Sequence, residues 1–449
     1  MADTSSSVPD VLQWEWDQED VDRADSPSLA KTIDDMRRLL NNPAHISAIR
    51  HVTLRGVRAA QHFESDHLTR RLAEEDKAAL KSWVVDAKLP LATPAVPEHD
   101  GDILMTDATA ALLSRLPALK TLDIETFDRT DDDEWTGSRP PGDPFMASLN
   151  QLILSARGGP AFQAIETAKV LVPVPDDEPE NEFDFYVYAG TVLPLFHLPR
   201  IRTVELHRVD DGRKPLSWPG PDVPRATALT ELALIKSQIS GENAGRIIRV
   251  CPNLRTLRYE HVVDAEHASA WLDLGRVRDS LAALEGSLED LTLAVTLWAS
   301  TAVDCGEAGP WGIRGSLGSL RGFARLARLT VSLPALLGWR TEDSAKLADV
   351  LPEGLQSLTI TDEMYFWWRY QWDDLDWDRR KQVAPRWRSI EAKVVEYLES
   401  RPRSLKELKL EISVAGEGGR AEQLKAGLVS KGEARGGEGL RALDKFNPA

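Results

Sequence analysis

The chain has 449 residues, of which 42% are hydrophobic and 28% are charged, values that are ordinary for soluble folded proteins. Its 54 basic and 71 acidic side chains give a formal net charge of −17, which opposes long-range approach to nucleic acid or to anionic lipid. No apolar run reaches the roughly 18 residues that cross a bilayer, so the composition excludes an integral membrane protein and makes nucleic acid an unexpected partner.

Cysteine usage and the N-terminal sequence bear on the cellular compartment. Cys251 and Cys305 are the only cysteines, and no Asn-x-Ser/Thr glycosylation acceptor occurs. The first ten residues, MADTSSSVPD, lack the basic and apolar regions of a secretory signal. These features predict an intracellular protein, either cytoplasmic or nuclear.

Residues 1–25 are rich in Ser, Asp and Glu, although they also contain Trp14 and Trp16. Because this composition cannot bury a core of its own, the segment is predicted to be a disordered acidic tail. Ordered structure is predicted to begin at residue 26 with a helix in SPSLAKTIDDMRRLL. Asn41-Asn42-Pro43 then ends this helix, and ISAIRHVTL is predicted to be the first strand.

An aliphatic-x-x-aliphatic-x-aliphatic hexad recurs ten times, and three copies share a longer phrase, in PALKTL, PRIRTV and PNLRTL. Most copies follow a helix-like stretch and a helix breaker, at a spacing typical of one strand and one helix per repeat. The pattern predicts an α/β leucine-rich repeat solenoid over residues 26–415, with irregular repeats, a curved parallel sheet inside, helices outside and the first helix as a cap. The hexads begin at Ile49, Leu119, Leu149, Ile201, Leu229, Leu254, Leu288, Leu326, Leu355 and Leu405.

The clearest repeat is SQISGENAGRIIRVCPNLRTLRY. Ser240 is predicted to cap a short helix that turns Ile247 and Cys251 toward the core, and Pro252 ends the helix before the strand. Other helices are predicted near residues 107–115, 264–285, 342–350, 384–400 and 419–430. The last of these lies in a glycine-rich C-terminal tail, residues 416–449.

Long gaps between hexads predict insertions or degenerate repeats. The insertions are predicted near residues 60–105, 128–145, 173–190 and 362–385. Hidden strands are predicted at Trp83-Val84-Val85 and at Val170-Leu171-Val172.

The insertion near residues 362–385 is rich in tryptophan, and its aromatic run continues to Trp387. Exposed aromatic side chains dominate the binding energy of many protein interfaces. An uncovered apolar patch would promote aggregation, so the preferred interpretation is that the segment packs onto the flank of the array, with partner binding as the alternative. Trp367, Trp368 and Trp372 are candidate partner-binding residues, and their exposure decides between the two interpretations.

Side chains alternate along a strand, so the aliphatic residues of each hexad should face the core and the residues between them the solvent. The solvent-facing side chains are predicted to form a polar face that binds a partner protein. Ile153 and Ile235 are the strongest candidates, because an apolar side chain has no structural need to lie there. The candidate residues on this face are Thr121, Asp123, Gln151, Ile153, Thr203, Glu205, Glu231, Ile235, Thr256 and Arg258.

Sequence motifs for catalysis and for metal binding are absent. There is no Gly-x-x-x-x-Gly-Lys-Ser/Thr loop, no Gly-x-Ser-x-Gly elbow, no His-Glu-x-x-His and no Cys-x-x-Cys. His62 and His67 are five residues apart and so do not share a helix face. Cys251, at an apolar helix end, is typical of a small core residue. The chain is predicted to be no enzyme, with no catalytic residue, cofactor or metal ion.

The phrases TVLPLFHLPRIRTVEL, ALLSRLPALKTLDI and ISGENAGRIIRVCPNLRTLRYEH resemble the leucine-rich repeat region of fungal F-box proteins. In that family, helices that end in Leu-Pro or Cys-Pro lead into Asn/Ser-Leu-Arg-x-Leu strands, and the likeness covers about residues 26–415. The resemblance implies an N-terminal F-box that docks on a ubiquitin-ligase adaptor, and repeats that hold the protein to be ubiquitinated. An F-box is not recognisable, since the first Leu-Pro, Leu89-Pro90, lies inside the array.

Three functions are open at this point. They are a non-enzymatic protein–protein interaction scaffold, the substrate-recognition subunit of a cullin-type ubiquitin ligase, and an enzyme with an unrecognised site. The ligase function needs a cryptic adaptor-docking element at Trp14, at Trp16 or in the first helix. The scaffold is the preferred prediction, because the repeats predict a partner protein and no motif predicts a reaction.

Overall fold

The chain divides into two compact units, Met1–Leu229 and Thr230–Ala449. Each is a mixed α/β unit that contains parallel strands. The structure, a computed structural model, describes residues 10–16, 27–56, 74–87, 105–126, 128–129, 144–155, 161–173, 185–212, 214–220, 222–264, 272–298, 313–338, 344–361, 388–400 and 402–411.

The first unit is organised around five parallel strands whose order in the sheet is their order in the chain. The strands of the unit are β1 (Val11–Glu15), β2 (His51–Arg55), β3 (Thr121–Glu125), β4 (Asp128–Arg129), β5 (Thr167–Leu171), β6 (Phe185–Tyr188), β7 (Thr203–His207) and β8 (Val209–Asp210). β1, β2, β3, β5 and β7 form the parallel sheet. β4, β6 and β8 form a small second sheet, to which the predicted insertions 128–145 and 173–190 contribute β4 and β6.

The five parallel strands bury every second side chain. In β3, β5 and β7 the second and fourth residues are buried, whereas the first, third and fifth are half-buried. Burial of aligned apolar side chains stabilises one register, because a shift by one residue would expose all of them. The buried side chains form two lines across the sheet, Leu12, Val52, Leu122, Ala168 and Val204 in one and Trp14, Leu54, Ile124, Val170 and Leu206 in the other.

Helices lie between these strands in the chain, as parallel pairing requires. They are α1 (Pro27–Asn41), α2 (Pro43–Ala48), α3 (Glu74–Asp86), α4 (Met105–Ser114), α5 (Pro144–Ser155) and α6 (Ala189–Val192). The predicted first helix is confirmed as α1, and the helix predicted near residues 107–115 is confirmed as α4. Asn42 ends α1 as predicted, but its side chain then caps α2 by accepting from the Ala44 N–H at 3.2 Å. A short helix therefore precedes strand β2.

Residues 11–15 form strand β1, so the prediction of a disordered tail over residues 1–25 is wrong for this segment. Leu12, Trp14 and Trp16 alternate with polar residues, and their side chains are buried. This alternation has the two-residue period of a half-buried strand, which the overall composition of the segment conceals. β1 pairs in parallel with β2 along its whole length.

The hexad at Leu149 lies in helix α5 and not in a strand. Phe145, Leu149 and Leu152 are buried at helical spacing, so the same aliphatic residues fit a 3.6-residue period as well as the hexad. The prediction that Gln151 and Ile153 lie on the strand face is wrong, because both are helix residues. Ile153 is 4% exposed and packs in the core.

The strand of this repeat is β5, which confirms the hidden strand predicted around Val170. The other predicted hidden strand, Trp83–Val85, is wrong. Those residues lie in α3, where Leu80 and Val84 are buried one helical turn apart. A three-residue apolar run fits either type of element, and the acidic residues at the start of α3 favour the helix.

The second unit contains six parallel strands, and their order in the sheet is again their order in the chain. The strands of the unit are β9 (Glu231–Ser237), β10 (Thr256–Asp264), β11 (Leu272–Asp273), β12 (Asp290–Trp298), β13 (Ile313–Arg314), β14 (Arg328–Ser332), β15 (Ser357–Thr361) and β16 (Glu407–Glu411). β11 and β13 pair only with each other, and the other six form the larger sheet. In both units, every hexad except the one at Leu149 contributes a strand.

The helices of the second unit are short. They are α7 (Gly241–Arg249), α8 (Leu274–Leu281), α9 (Leu333–Leu337), α10 (Leu347–Val350) and α11 (Arg388–Glu399). α7 confirms the predicted cap, since Ser240 Oγ accepts from the Asn243 N–H at 3.4 Å. Ile247 and Cys251 are buried as predicted.

Three further helix predictions concern the second unit. α11 confirms the helix predicted near residues 384–400. In the described parts of the ranges predicted near 264–285 and 342–350, α8 spans eight residues before a single 3₁₀ turn and α10 spans four. Residues 265–271 and 342–343 of these ranges lie outside the described residues.

The side chain of Ile235 is 8% exposed, so the prediction that it lies on the solvent side is wrong. The pairing of β9 with β10 shifts register after Tyr259, and Lys236 adopts a φ of 47°. Such an irregularity inserts an extra residue into one strand, and the side chains that follow change face. Ile235 therefore points into the core and Lys236 toward solvent.

None of the helices in the described part of the chain combines the length and the hydrophobicity that crossing a bilayer requires. α3 lies within the insertion predicted near residues 60–105. The insertion predicted near 362–385, the tail 416–449 and its helix near 419–430 lie outside the described residues.

Candidate functional site

The outward side chains of the first unit's parallel sheet form a polar surface, which we name the first strand face. It consists of the first, third and fifth residues of β1, β2, β3, β5 and β7, which are half-buried or exposed. Because the strands are in register, these side chains form rows across the sheet. The members of the first strand face are Val11, Gln13, Glu15, His51, Thr53, Arg55, Thr121, Asp123, Glu125, Thr167, Lys169, Leu171, Thr203, Glu205 and His207.

One row of the first strand face consists mainly of hydroxyl side chains. His51, Thr121, Thr167 and Thr203 are successive register partners on β2, β3, β5 and β7. Threonine favours strands because its branched Cβ fits the pleated surface. Its hydroxyl group both donates and accepts hydrogen bonds. The row therefore presents hydrogen-bonding groups at intervals of one strand.

Arg55 holds the charged part of the face together on β2 and β3. Its Nη1 and Nη2 atoms each lie 3.0 Å from one oxygen of Asp123, in the bidentate geometry that suits a guanidinium. Its Nε atom lies 3.7 Å from Glu125 Oε2, and the N–H of Gly56 donates to Glu125 Oε1 at 3.2 Å. A single cation thus serves two carboxylates.

Glu205 is the second centre of charge, on β7. Lys169 Nζ lies 3.1 Å from its Oε2 atom, and His207 Nε2 lies 2.9 Å from its Oε1 atom. All three side chains are between a quarter and two fifths exposed, so they remain accessible to a partner. Both ion-pair networks of the face are fixed by neighbouring strands before any partner binds.

The two glutamates of these networks have pKa values that shift in opposite directions. Burial raises the pKa of Glu125, an effect that the Gly56 N–H and Arg55 oppose and that Glu15 and Asp123 reinforce. Burial also acts to raise the pKa of Glu205, but hydrogen bonds from His207 and Lys169 outweigh it and leave that pKa below the ordinary value. The charged form is therefore disfavoured at Glu125 and favoured at Glu205.

We predict that Glu125→Gln and Glu205→Gln change stability in opposite directions at neutral pH. Glu125 has a raised pKa in the folded state, so the native protein loses stability as pH rises from 4.5 through that pKa, and Gln removes this loss. Glu205 has a lowered pKa, so its contribution is complete above 4.5 and is lost as pH falls through the folded pKa. Each effect is expected to stay below about 1 kcal/mol, because both groups are partly screened by solvent.

Chemical denaturation of both variants between neutral and acidic pH measures the two differences. We expect Glu125→Gln to be more stable than the natural sequence at neutral pH and Glu205→Gln to be less stable, and both differences to shrink on acidification. Equal destabilisation by both substitutions would contradict the assignment.

The second unit carries a corresponding second strand face, on β9, β10, β12, β14, β15 and β16. Arg258 Nε lies 2.5 Å from Glu260 Oε1 on the same strand, and Arg328 Nε lies 2.6 Å from Asp290 Oδ2 on the neighbouring strand. A row of hydroxyl groups begins beside Arg258 and is formed by Thr292, Thr330 and Thr359 as successive register partners. The burial of Thr359 makes this row less accessible than the threonine row of the first unit.

The structure brings one group of predicted site residues together and separates the others. Thr121, Asp123, Thr203 and Glu205 share the first strand face, as predicted. Glu231, Thr256 and Arg258 lie on the second strand face, where Thr256 is the register partner of Glu231. Gln151, Ile153 and Ile235 are not on either face, and Trp367, Trp368 and Trp372 lie outside the described residues.

Thr167 and Lys169 belong to the first strand face but were not among the predicted site residues. Both lie on β5, whose apolar residues Ala168 and Val170 do not complete a hexad. The two-residue alternation in Thr-Ala-Lys-Val-Leu was the available signal. The hidden strand was predicted only from Val170 onward, so the prediction did not include Thr167 and Lys169.

Trp14 and Trp16 do not offer a docking surface. Their side chains are 1% and 4% exposed, and their ring centroids lie 6.0 Å apart. The Nε1 atom of Trp14 donates to Asp35 Oδ2 of α1 at 3.2 Å. Both residues therefore pack in the core of the first unit. Of the three candidates for an adaptor-docking element, only α1 is still open.

The described residues provide little for catalysis or metal binding. They contain no group of three or more His, Cys, Asp or Glu side chains that could hold a metal ion. Burial raises the pKa of the Cys251 thiol to about 12, so the reactive thiolate is not accessible near neutral pH. His62 and His67 lie outside the described residues.

A cleft of about 340 Å³ lies in the first unit beside Asp86 and Arg115. Arg115 pairs with Asp86 at 2.7 Å and lies over the Trp83 ring, 5.7 Å from its centroid. The charges that line the cleft are thus already paired with each other. No set of convergent polar groups in it suggests a particular ligand.

The chain matches no model of a known protein family, and no curated protein has significant similarity to it. Fold and surface therefore define the protein only by class. It is a mixed α/β protein with parallel strands in each unit and polar strand faces on the described residues.

Proposed function

We propose that the chain is a non-enzymatic protein–protein interaction scaffold, built from leucine-rich repeats that stack as a solenoid within each unit. The observation that carries this proposal is the arrangement of the strands. In the larger sheet of each unit the strands are parallel, follow one another in chain order and bury alternate aliphatic side chains. Helices lie between most successive strands of these sheets. A repeat of this kind cannot bury its apolar face alone, so stacked neighbours supply the core.

The chemistry of the first strand face supports protein binding. Most of its charged groups are paired across strands, and its other members are hydroxyl, amide, imidazole and aliphatic side chains. Rigid elements that present prearranged polar groups lose little entropy when a partner binds. Because these groups lie on an open strand face and not in an enclosed pocket, the surface is better suited to binding than to catalysis.

The ubiquitin-ligase alternative rests on the resemblance of the repeats to fungal F-box proteins. It requires an adaptor-docking element, and α1 keeps Lys31, Asp34 and Arg38 exposed for this role. Reversal of these three charges would test the ligase function. Unlike deletion of the N-terminal residues, it would leave the buried residues of β1 and α1 in place. Recovery of a cullin and its adaptor with the natural protein but not with this variant would favour the ligase over the simple scaffold.

We predict that Thr121→Arg combined with Thr203→Arg reduces the recovery of bound protein by on the order of tenfold. Both side chains are half-buried on the first strand face, so a longer charged side chain would project toward a partner without entering the core. Affinity purification with quantitative mass spectrometry measures how much partner protein is recovered, and thermal unfolding shows whether the variant is folded. We expect the melting temperature to change by less than about 2 °C.

Thr227→Arg is the matched control, because Thr227 is an exposed loop residue of the same unit and receives the same side chain. The control should retain the partner. Retention of the same partners by the double variant, at unchanged melting temperature, would contradict binding at the first strand face.

A further inference from the structure

We propose that the first strand face binds an extended cationic segment of another protein, in polyproline II conformation, with a basic side chain at every third position. This inference rests on the proposed scaffold function and adds the chemistry of the partner. It follows from the order of charges across the five strands and from the distances between those strands.

The charges of the first strand face alternate in sign from strand to strand. Carboxylates lie on β1, β3 and β7, and the two cations lie on the strands between them. Four carboxylates thus face two cations, which leaves an excess of negative charge. The carboxylates are Glu15, Asp123, Glu125 and Glu205, and the cations are Arg55 and Lys169.

The excess is concentrated where one cation serves several carboxylates. Both Nη atoms of Arg55 are engaged by Asp123, and Glu125 lies farther away, 3.7 Å from Nε. Glu15 is exposed at the outer strand β1, in register with Arg55. A positive charge from a partner would balance the negative charge of the carboxylates that Arg55 does not neutralise.

The spacing of the acidic strands selects the conformation of the partner. Neighbouring strands lie about 4.8 Å apart, so β1, β3 and β7, each separated by one intervening strand, follow at intervals of about 9.6 Å. A polyproline II helix has three residues per turn and a rise of about 3.1 Å, so side chains on one side repeat every 9.3 Å or so. An extended β-strand repeats every 6.7 Å or so and falls out of step after one interval.

The positions between the basic residues should be uncharged. A segment that crosses the strands brings these positions over β2 and β5, which carry Arg55 and Lys169. A further cation there would meet a like charge. The face thus disfavours continuous basic runs, although the net charge of −17 attracts any cation from a distance.

The hydroxyl row supplies contacts for the backbone of such a segment. His51, Thr121, Thr167 and Thr203 run across the same strands, beside the row that contains Asp123, Lys169 and Glu205. Backbone groups of a polyproline II helix make no internal hydrogen bonds and remain free to pair with a surface. The hydroxyl groups of Thr121 and Thr167, on neighbouring strands, can donate to its carbonyl oxygens.

Two peptides of equal composition test the spacing. One is Arg-Pro-Pro-Arg-Pro-Pro-Arg, and the other places its three arginines together before the four prolines. Fluorescence anisotropy with labelled peptides and the full-length protein measures affinity at low and at physiological salt. We expect the spaced peptide to bind about tenfold more tightly, and its binding to weaken as salt screens the pairs.

Glu125→Gln and Glu205→Gln should each weaken the spaced peptide about fivefold, which corresponds to about 1 kcal/mol per lost ion pair. Glu74→Gln is the matched control, because it removes the same charge from an 88% exposed side chain on α3 and should leave affinity unchanged. Circular dichroism confirms that the variants are folded.

Equal affinity for the two peptides would overturn the inference, as would an equal loss of affinity in Glu74→Gln. Either result leaves the scaffold proposal standing if Thr121→Arg with Thr203→Arg still loses its protein partner. Failure of that double variant to lose its partner would instead reject the face as a binding surface.

Discussion

Replacing Leu257 with Asp is expected to destabilise the neighbouring strands of the second unit as well as its own. Leu257 is 1% exposed, and its register partners are Leu232 on β9 and Leu291 on β12. The substitution removes a buried side chain and places a carboxylate among aliphatic residues, at a cost on the order of 5 kcal/mol. Because each repeat is stabilised mainly through its neighbours, protection of backbone amides should fall in β9, β10 and β12 together.

Arg258→Asp provides the matched control, since it introduces the same side chain one position away. The Arg258 side chain is 53% exposed and pairs with Glu260, so its loss should cost below about 1 kcal/mol. Hydrogen exchange with peptide-level resolution measures both variants. Increased exchange restricted to β10 in Leu257→Asp would show that the strands do not depend on one another and would contradict a stacked-repeat core.

The nine strands that carry a hexad were predictable from the sequence, because the signal is local and repeated. A hexad such as Leu254, Leu257 and Tyr259 predicts which side chains are buried. Burial of alternate residues then indicates a strand and shows which of its side chains face the solvent. Proline before the hexad marks where the helix ends. These two features are sufficient for the order of elements but not for the exact length of the helices.

The failures at Leu149 and Ile235 have different physical causes. Around Leu149 the aliphatic residues satisfy a helical period and a hexad at once, and tertiary packing decides in favour of the helix. At Ile235 the strand is correct, but the register irregularity near Lys236 reverses the direction of the side chains. Periodicity gives no signal for such a change within one strand.

The composition of the first strand face was predictable in part, but its pairing was not. Asp123 was a predicted surface residue, yet its guanidinium partner Arg55 lies 68 positions earlier in the chain. Lys169 lies just before the hidden strand predicted at Val170-Leu171-Val172 and was not assigned to it, so the network around Glu205 was not predicted. Long-range pairing depends on the register between strands, which a single sequence does not state.

The paired charges make the first strand face selective rather than merely acidic. A partner must match the order of signs across the strands, because a cation placed over Arg55 or Lys169 meets repulsion. Salt bridges that are already formed also hold the side chains in place, which lowers the entropy lost on binding. A rigid sheet can therefore bind selectively a partner whose charges have the matching spacing.

The second large effect is expected for Gly56→Ala, which should release strand β1 from the first unit. Gly56 has a φ of 64°, and a Cβ atom at this position would lie 2.0 Å from the backbone oxygen of Trp16. Backbone cannot yield as a flexible side chain can, so the end of β1 must move away from β2. Leu12 and Trp14 would lose burial, at a cost of about 3 kcal/mol or more.

Gly318→Ala separates this clash from backbone strain alone, because Gly318 has a similar φ of 61° but only the Arg278 Nη1 atom near a Cβ, at 3.6 Å. That variant should lose only the 1–2 kcal/mol or so that a left-handed conformation costs a residue with a Cβ atom. Hydrogen exchange in residues 10–16 distinguishes the two variants. The Trp16 backbone N–H donates to the Arg55 carbonyl oxygen at 3.1 Å, and only Gly56→Ala should remove the protection of this amide. If both variants left that amide protected, β1 would not depend on the close approach at Gly56, and the N-terminal strand would be held by its buried side chains alone.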